Sequence, residues 1–319
     1  MIDTAQLPTT RLAPSPTGAL HLGNARTFLV NWAMARRRGW RIVLRIEDLD
    51  GPRVKRGTDR EAMDLLAWLG IDWDVGPIHQ SADLGPYEAA LRRLGRDGMI
   101  YRCTCTRKDL EQAQSAPHDE PSHDLRYPGT HRPGRPTPID YAPGDAEVAW
   151  RVRVPDEAIA FDDRFLGRQS INVNREVGDF IVASKAGLPA YQLAVVVDDA
   201  RRGVTDVVRG DDLLRSTPRQ LLLYRLLRLG PTPRYWHLPL VVGADGRRLA
   251  KRHGDTRLRR YHAEGVDPDR VVGLIGAWSG LAPRQPMSAA EFAERLDLDR
   301  LPPEPAVFSA EDERWLVDR

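Results

Sequence analysis

Apolar positions change their period several times along the chain, and each change marks an element. Thr10–Ala13 reads as a short strand stopped by Pro14 and Pro16. From Leu22 to Arg38 the residues Ala25, Phe28, Leu29, Trp32 and Ala35 recur at helical spacing, which predicts a helix that Gly39 ends. Arg41–Ile46 alternates as a strand does. Thr58, with Glu61 three residues on, reads as the capping box of a helix closing at Gly70, and another helix is expected from Pro86 to Asp97. Strand, helix, strand, helix in this order predicts a parallel α/β sheet.

The texture changes at residues 115–145, which are dense in Pro, Gly and His and lack apolar periodicity. So long a loop needs another source of order, such as a metal. Glu147–Val154 returns to a strand pattern. Tyr191–Val197 is an unbroken apolar run bounded by Asp198 and Asp199, the look of a buried parallel strand, and Val204–Val208 is another. Thr217 and Pro218 open a helix that runs to about Leu229. Beyond Asp255 short helices separated by Pro and Gly are expected. The expected organisation is a first sheet half over residues 1–100, an insertion over 101–180, a second sheet half over 181–255 and a helical C-terminal region over 256–319.

Composition narrows little. The chain has 319 residues, 41% of them hydrophobic, enough for one large domain or two linked ones. A formal net charge of +2 does not by itself argue for nucleic acid. Any RNA footprint must come from local clusters, of which Arg36–Arg38 and Arg257, Arg259 and Arg260 are the candidates. No apolar run approaches the ~20 residues that cross a bilayer, and Met1–Thr10 lacks signal-peptide features, so a cytoplasmic protein is expected. Cys103 and Cys105 are too close for an unstrained disulfide, which leaves reduced thiols able to bind metal.

The first chemistry-bearing stretch runs from Arg11 to Asn24. Prolines fix the turn after the strand, and a helix begins near His21. Gly18 and Gly23 remove side chains where backbone approaches a ligand, and a helix N-terminus suits phosphate. His21 and Asn24 are then placed as hydrogen-bond donors beside a triphosphate. The pattern alone equally describes a structural turn.

Pro14-Ser-Pro-Thr-Gly18 followed by His21-Leu-Gly-Asn24 resembles the first signature of class I aminoacyl-tRNA synthetases in its glutamyl/glutaminyl form. Arg45-Ile-Glu-Asp-Leu-Asp50, Ala194-Val-Val-Val-Asp-Asp199, Val208-Arg-Gly-Asp-Asp-Leu213 and Thr217-Pro-Arg-Gln-Leu221 resemble later blocks of the same branch. Arg248-Leu-Ala-Lys-Arg252 stands where the second signature belongs, with Lys251 matching its second lysine and Ala250 replacing a serine. The resemblance covers residues 10–260. It implies a Rossmann-type parallel sheet of the class I synthetase kind, an inserted zinc-binding subdomain and a small helical C-terminal region. It also implies ATP held by His21, Gly23, Asn24 and Lys251, with His21, Asn24 and Lys251 catalytic and magnesium accompanying the nucleotide. Arg11, Ser15, Glu47, Tyr191 and Arg209 match the glutamate-contacting positions. Two arginines suit the carboxylates, Glu47 the ammonium group and Tyr191 a hydroxyl contact.

A subgroup of the family carries Cys-x-Cys and then Tyr-x3-Cys in the insertion. Here the set is Cys103, Cys105, Tyr127 and His131, with His118 and His123 as substitutes for the tyrosine. One structural zinc per chain is the expectation. Only 64 residues (319 − 255) follow Asp255, too few for the anticodon-binding domain of the longer members. The shortened members attach glutamate to queuosine in the anticodon loop of tRNA(Asp), and that activity, by a monomer, is what the resemblance implies. An ordinary glutamyl-tRNA synthetase, a nucleotidylyltransferase of another pathway and a non-catalytic RNA-binding relic are the alternatives.

Overall fold

The structure is a computed structural model and describes residues 7–16, 19–49, 57–106, 108–110, 126–144, 148–247, 249 and 255–318. The chain forms two compact units. One is built from Met1–Ala82, Gly203–Leu214 and Pro233–Arg319, the other from Asp83–Arg202 and Arg215–Thr232.

The first unit is organised by parallel strands. β1 (Thr9–Leu12), β2 (Arg41–Ile46) and β3 (Val75–His79) pair in that order, with Thr10 opposite Ile42 and Val43 opposite Val75. Thr205 N donates to Thr9 O at 2.8 Å, and two residues into β1 Arg11 Nη1 donates to Val208 O at 3.2 Å. These contacts set β9 (Asp206–Gly210) beside β1. β10 (Arg234–Leu238) pairs parallel with β9 and sets His237 opposite Arg209.

Helix α1 (Leu22–Arg38) connects β1 to β2 and packs on β1 and β9. Its expected ends are observed, and Gly39 closes it in the left-handed region at φ 65°. Buried Asn31 pins it to β1: its Oδ1 accepts from Thr10 Oγ1, and its Nδ2 donates to Arg11 O, both at 2.9 Å. Helix α2 (Thr58–Trp68) begins one residue after Gly57, whose φ is 82°, and lacks the expected capping box. Thr58 Oγ1 donates instead to Pro16 O at 3.0 Å, which ties α2 to the turn after β1. The C-terminal part carries the expected short helices, Leu258–Ala263, Pro268–Trp278, Ala289–Arg295 and Ala310–Val317. Between β10 and the first of these lies β11 (Val241–Val242), which pairs with β12 (Ala306–Val307).

In the second unit α3 (Gly85–Arg96) precedes an antiparallel sheet of β4 (Ile100–Cys103), β5 (Ala149–Val152) and β8 (Ile181–Ala183). β6 (Ile159–Asp163) and β7 (Gly167–Ile171) form a hairpin. The strand expected at Tyr191–Val197 is instead a helix, Tyr191–Arg201. Its residues from Gln192 to Asp199 are all buried, and a helix buried on every side shows no amphipathic period and reads like a buried strand. Its polar groups are satisfied internally. Tyr87 OH donates to Asp198 Oδ2 at 2.8 Å, and Gln192 bridges Ser216 and Gln220 at 3.0 Å each. Among the described residues, no helix is long and apolar enough to cross a membrane.

Candidate active site and metal centre

The start of α1 is built by His21. Its Nδ1 accepts from Gly23 N at 3.1 Å and Asn24 N at 3.3 Å, while Asn24 Oδ1 accepts from His21 N at 3.1 Å. This reciprocal capping box uses backbone donors that the sequence reserves for phosphate. An accepting Nδ1 places the proton of a neutral ring on Nε2. Gly23 is favoured for a reason the sequence does not reveal. A Cβ there would lie 3.0 Å from His21 Cε1, so the close approach is that of the imidazole.

Residues just after the second signature pair with the same place. Leu22 N donates to Thr256 O at 3.1 Å and Leu258 N to Leu20 O at 2.8 Å, an antiparallel clasp with His21 opposite Arg257. Gly243 N donates to Arg247 O at 2.9 Å, and Leu249 N to Val241 O at 3.4 Å, at the other side of the loop. Thus Leu249, on one flank of the second signature, pairs with β11, and Thr256–Leu258, on its other flank, pair with the entry of α1. Lys251 itself, with Arg248, Ala250, Arg252, His253 and Gly254, lies outside the described residues, as do Gly18, Asp50, His118 and His123.

Glutamate-position residues Arg11, Ser15, Glu47 and Arg209 fall in the first unit, at or just beyond the C-terminal halves of β1, β2 and β9. Ligands of open α/β sheets bind at this edge. Glu47 N donates to Pro14 O at 3.1 Å and Ser15 Oγ to Glu47 O at 3.4 Å, which brings the turns after β1 and β2 together. Arg11, Arg26, Arg45 and Arg209 are all at most 5% exposed. Buried guanidinium groups demand counter-charge, and here part of the demand is met internally. Arg45 Nη2 binds Glu47 Oε1 at 2.8 Å, so Glu47 already holds a cation. Arg26 Nη1 donates to Pro239 O, while its Nε and Nη2 have no hydrogen-bond partner among the described residues. Burial pushes Arg26 down to about 10, opposed by attraction to Asp211. Burial and the neighbouring Asp212 push Asp211 up. Tyr191 opens its helix in the second unit and is 40% exposed.

Of the basic clusters, Arg36 pairs with Asp72 and Asp74, each at 2.9 Å, Arg257 with Asp255, and Arg260 with Glu264 and Glu313 at 2.8 and 2.7 Å. Both clusters are therefore partly neutralised. Arg38 stacks between Trp40 and Trp236, 5.3 and 5.0 Å from their ring centroids.

In the second unit, thiols and imidazole converge. His131 Nδ1 lies 3.5 Å from Cys103 Sγ and 3.4 Å from Cys105 Sγ, and the ligand atoms of this group all lie within 4.8 Å of one another. A tetrahedral zinc, with bonds of ~2.3 Å to sulfur and ~2.0 Å to nitrogen, sets these atoms about 3.5 Å apart. The Tyr127 hydroxyl accepts from His131 N at 2.8 Å and lies 3.6 Å from Cys103 Sγ. Behind them Arg151 Nε donates to Cys103 Sγ at 3.3 Å, its guanidinium 3.9 Å from the Tyr127 ring centroid. Burial pushes the Cys103 thiol up, but hydrogen bonding to Tyr127 and Arg151 outweighs it and brings the group to about 7. Burial pushes Tyr127 up to about 12, which makes its neutral hydroxyl the ordinary form.

A parallel sheet, a histidine-capped first helix and the residues 256–258 clasped to that helix fit a class I synthetase catalytic fold. The chain belongs to that family: the model for the catalytic domain of class I tRNA synthetases (E and Q) matches residues 9–315. It is 46% identical over 313 residues to the glutamyl-Q tRNA(Asp) synthetase of Symbiobacterium thermophilum, covering 94% of this chain and 96% of that one. It is likewise 46% identical over 291 residues to the glutamyl-Q tRNA(Asp) synthetase of Rhodopirellula baltica, covering 88% of each. Among solved structures it resembles the glutamate tRNA ligase of Elizabethkingia meningosepticum in complex with its amino acid. The TM-score is 0.80 at 26% identity, covering 98% of this chain and 69% of that one.

Proposed function

We propose that the chain is an ATP-dependent ligase that activates glutamate as its adenylate and transfers the glutamyl group to queuosine in the anticodon loop of tRNA(Asp). The observation that supports the activation step is the clasp of Leu20–Leu22 with Thr256–Leu258, which joins residues just beyond the second signature to the histidine-capped end of α1. Buried Arg11 and Arg209 stand on the same sheet edge. An α-carboxylate oxygen of glutamate attacks the α-phosphorus of ATP and pyrophosphate leaves. No enzyme nucleophile is needed, because orientation and fixed charge lower the barrier. In this reading His21, through Nε2–H, Gly23 and Asn24 hold the nucleotide, and Lys251 meets the departing phosphates. Magnesium travels with ATP and offsets phosphate charge. Arg11 and Arg209 receive the glutamate carboxylates, and Glu47, Ser15 and Tyr191 serve the ammonium and remaining polar contacts. The protein works in the cytoplasm as a monomer. The identity shared with relatives named for glutamyl-Q tRNA(Asp) supports the acceptor over a tRNA 3′ end, and a histidine-capped nucleotide site disfavours a non-catalytic relic.

Exchange of labelled pyrophosphate into ATP is expected to depend on glutamate. Glutamine should be poorer by roughly ten- to a hundredfold, since a neutral amide forfeits a charge-assisted bond of about 1.5–3 kcal/mol. Equal exchange with the two amino acids would sink the reading.

The cysteine cluster is assigned to a structural zinc held by Cys103, Cys105 and His131, with Tyr127 completing the set. When bound, the ion ties the insertion together. Protein purified without chelator should carry about one zinc per chain. The double variant Cys103→Ser, Cys105→Ser should carry almost none. Full metal content in that variant would place the ion elsewhere.

A further inference from the structure

Arg151 is buried on β5, opposite Tyr101 in the antiparallel register and one step along the same face from the Cys103–Ala149 pair. Its guanidinium makes three contacts. Nε donates to Cys103 Sγ at 3.3 Å, Nη1 donates to Asp179 O at 2.7 Å, and the guanidinium carbon lies over the Tyr127 ring, 3.9 Å from its centroid. The carboxylate of Asp179 is engaged by other donors. Its Oδ1 accepts from Arg132 Nη1 at 3.0 Å and Val154 N at 2.7 Å, and its Oδ2 accepts from Tyr101 OH at 2.6 Å. Arg151 thus reaches Asp179 through the backbone carbonyl.

An arginine fork is planar and rigid. Anchored at Asp179 O by one corner, it fixes the direction from which Nε approaches the Cys103 sulfur. The same group braces the Tyr127 ring, whose hydroxyl lies 3.6 Å from that sulfur. One buried cation therefore supports two of the four residues assigned to the metal. A metal-bound cysteine is a thiolate, and its remaining lone pairs accept N–H donors. Such a donor spreads the sulfur charge and fixes the ligand's orientation, as partners behind metal ligands commonly do. We infer that Arg151 is a positioning residue for the metal centre. It holds Cys103 Sγ and the Tyr127 ring in place for one zinc ion and gives the zinc-bound thiolate a charge-assisted bond. The inference rests on the assignment of the cluster to zinc. An arginine that merely tied β5 to Asp179 would matter for folding but would leave the electronic state of the sulfur alone.

The test uses the full chain, stripped of metal and reloaded. Competition with a chelator reads zinc affinity, and cobalt(II) in place of zinc makes the sulfur-to-metal charge-transfer absorption visible. R151M keeps a long side chain but removes its charge and its donor. It should bind zinc about 10–100-fold more weakly than the parent protein. Its cobalt charge-transfer band should move to longer wavelength, because a thiolate that has lost a donor holds its electrons less tightly. Either an unmoved band or a zinc affinity within about twofold of the parent protein would overturn the inference. A lower melting temperature alone would leave Arg151 a strut. If R151M does not fold, R151K decides. It keeps the charge on a flexible stem without the rigid fork, and should lose about threefold or more in zinc affinity, with a smaller band shift in the same direction. Parent-like affinity and band in R151K would then overturn the inference. A parent protein that takes up neither zinc nor cobalt would sink the metal assignment, and Arg151 would fall with it. Normal loading of the parent protein beside an unaltered R151M would cost only the role of Arg151.

Discussion

Trimming the 3′-terminal adenosine from queuosine-containing tRNA(Asp) is expected to leave its acceptance of labelled glutamate intact. The same tRNA with unmodified guanosine at the anticodon should accept essentially none. The two outcomes separate a ligase that works on a modified base from one that charges a terminal ribose. Both share the activation chemistry, so pyrophosphate exchange cannot distinguish them. The expectation rests on relatives 46% identical along 88–96% of their own length and named for glutamyl-Q tRNA(Asp). A base lacking the acceptor hydroxyl has nothing for the adenylate to react with, so discrimination should far exceed the 10–200-fold typical of a missing methylene. Labelling should also weaken as salt rises, because phosphate contacts release counterions. The slope should be modest, since Arg36, Arg257 and Arg260 already hold carboxylates. Loss of labelling on 3′ trimming would make the chain an ordinary glutamyl-tRNA synthetase.

What the sequence discloses of this protein depends on the range of the forces involved. Helix α1 is legible to the residue because its stop is a local backbone property of Gly39. The helix Tyr191–Arg201 is misread because burial on all sides, a tertiary fact, erases its period. Thr58 carries the local signal of a cap, yet a longer-range bond to Pro16 takes its hydroxyl. The candidate site shows the same division. The resemblance of ordered blocks proposes Arg11, Glu47 and Arg209 as glutamate contacts, but not what holds them. Arg45, Arg26 and His237 escape notice because their bonds go to a partner across the sheet or in another segment. The spacing of Cys103, Cys105, Tyr127 and His131 anticipates a cluster. The donor from Arg151 to Cys103 is supplied by a strand neighbour 48 positions away and leaves no mark in the pattern.

Replacing His21 with asparagine is expected to leave the fold almost untouched and to remove nearly all activation. The two ring nitrogens serve different ends. Nδ1 closes the first turn of α1 through Gly23 N and Asn24 N, which any good N-cap acceptor can do. Asparagine is among the best caps, so H21N should unfold within about 0.5 kcal/mol of the parent protein. In the proposed reading, however, His21 Nε2–H meets the developing phosphate charge, and the N–H donors of the shorter asparagine amide do not extend as far from the backbone as Nε2 does. Removal of such a donor typically costs about 10²–10³ in turnover, and pyrophosphate exchange should fall by that amount. Alanine removes both functions, so H21A should lose about 1 kcal/mol of stability in addition to the same activity. Gly23→Ala is the complementary change. Its methyl group would press on His21 Cε1 from 3.0 Å, displacing the ring without removing the donor, and should lower exchange less than H21N does. If H21N keeps exchange within about threefold of the parent protein while H21A is inactive, the histidine acts through the cap alone, and the nucleotide must be held by other groups at the head of α1.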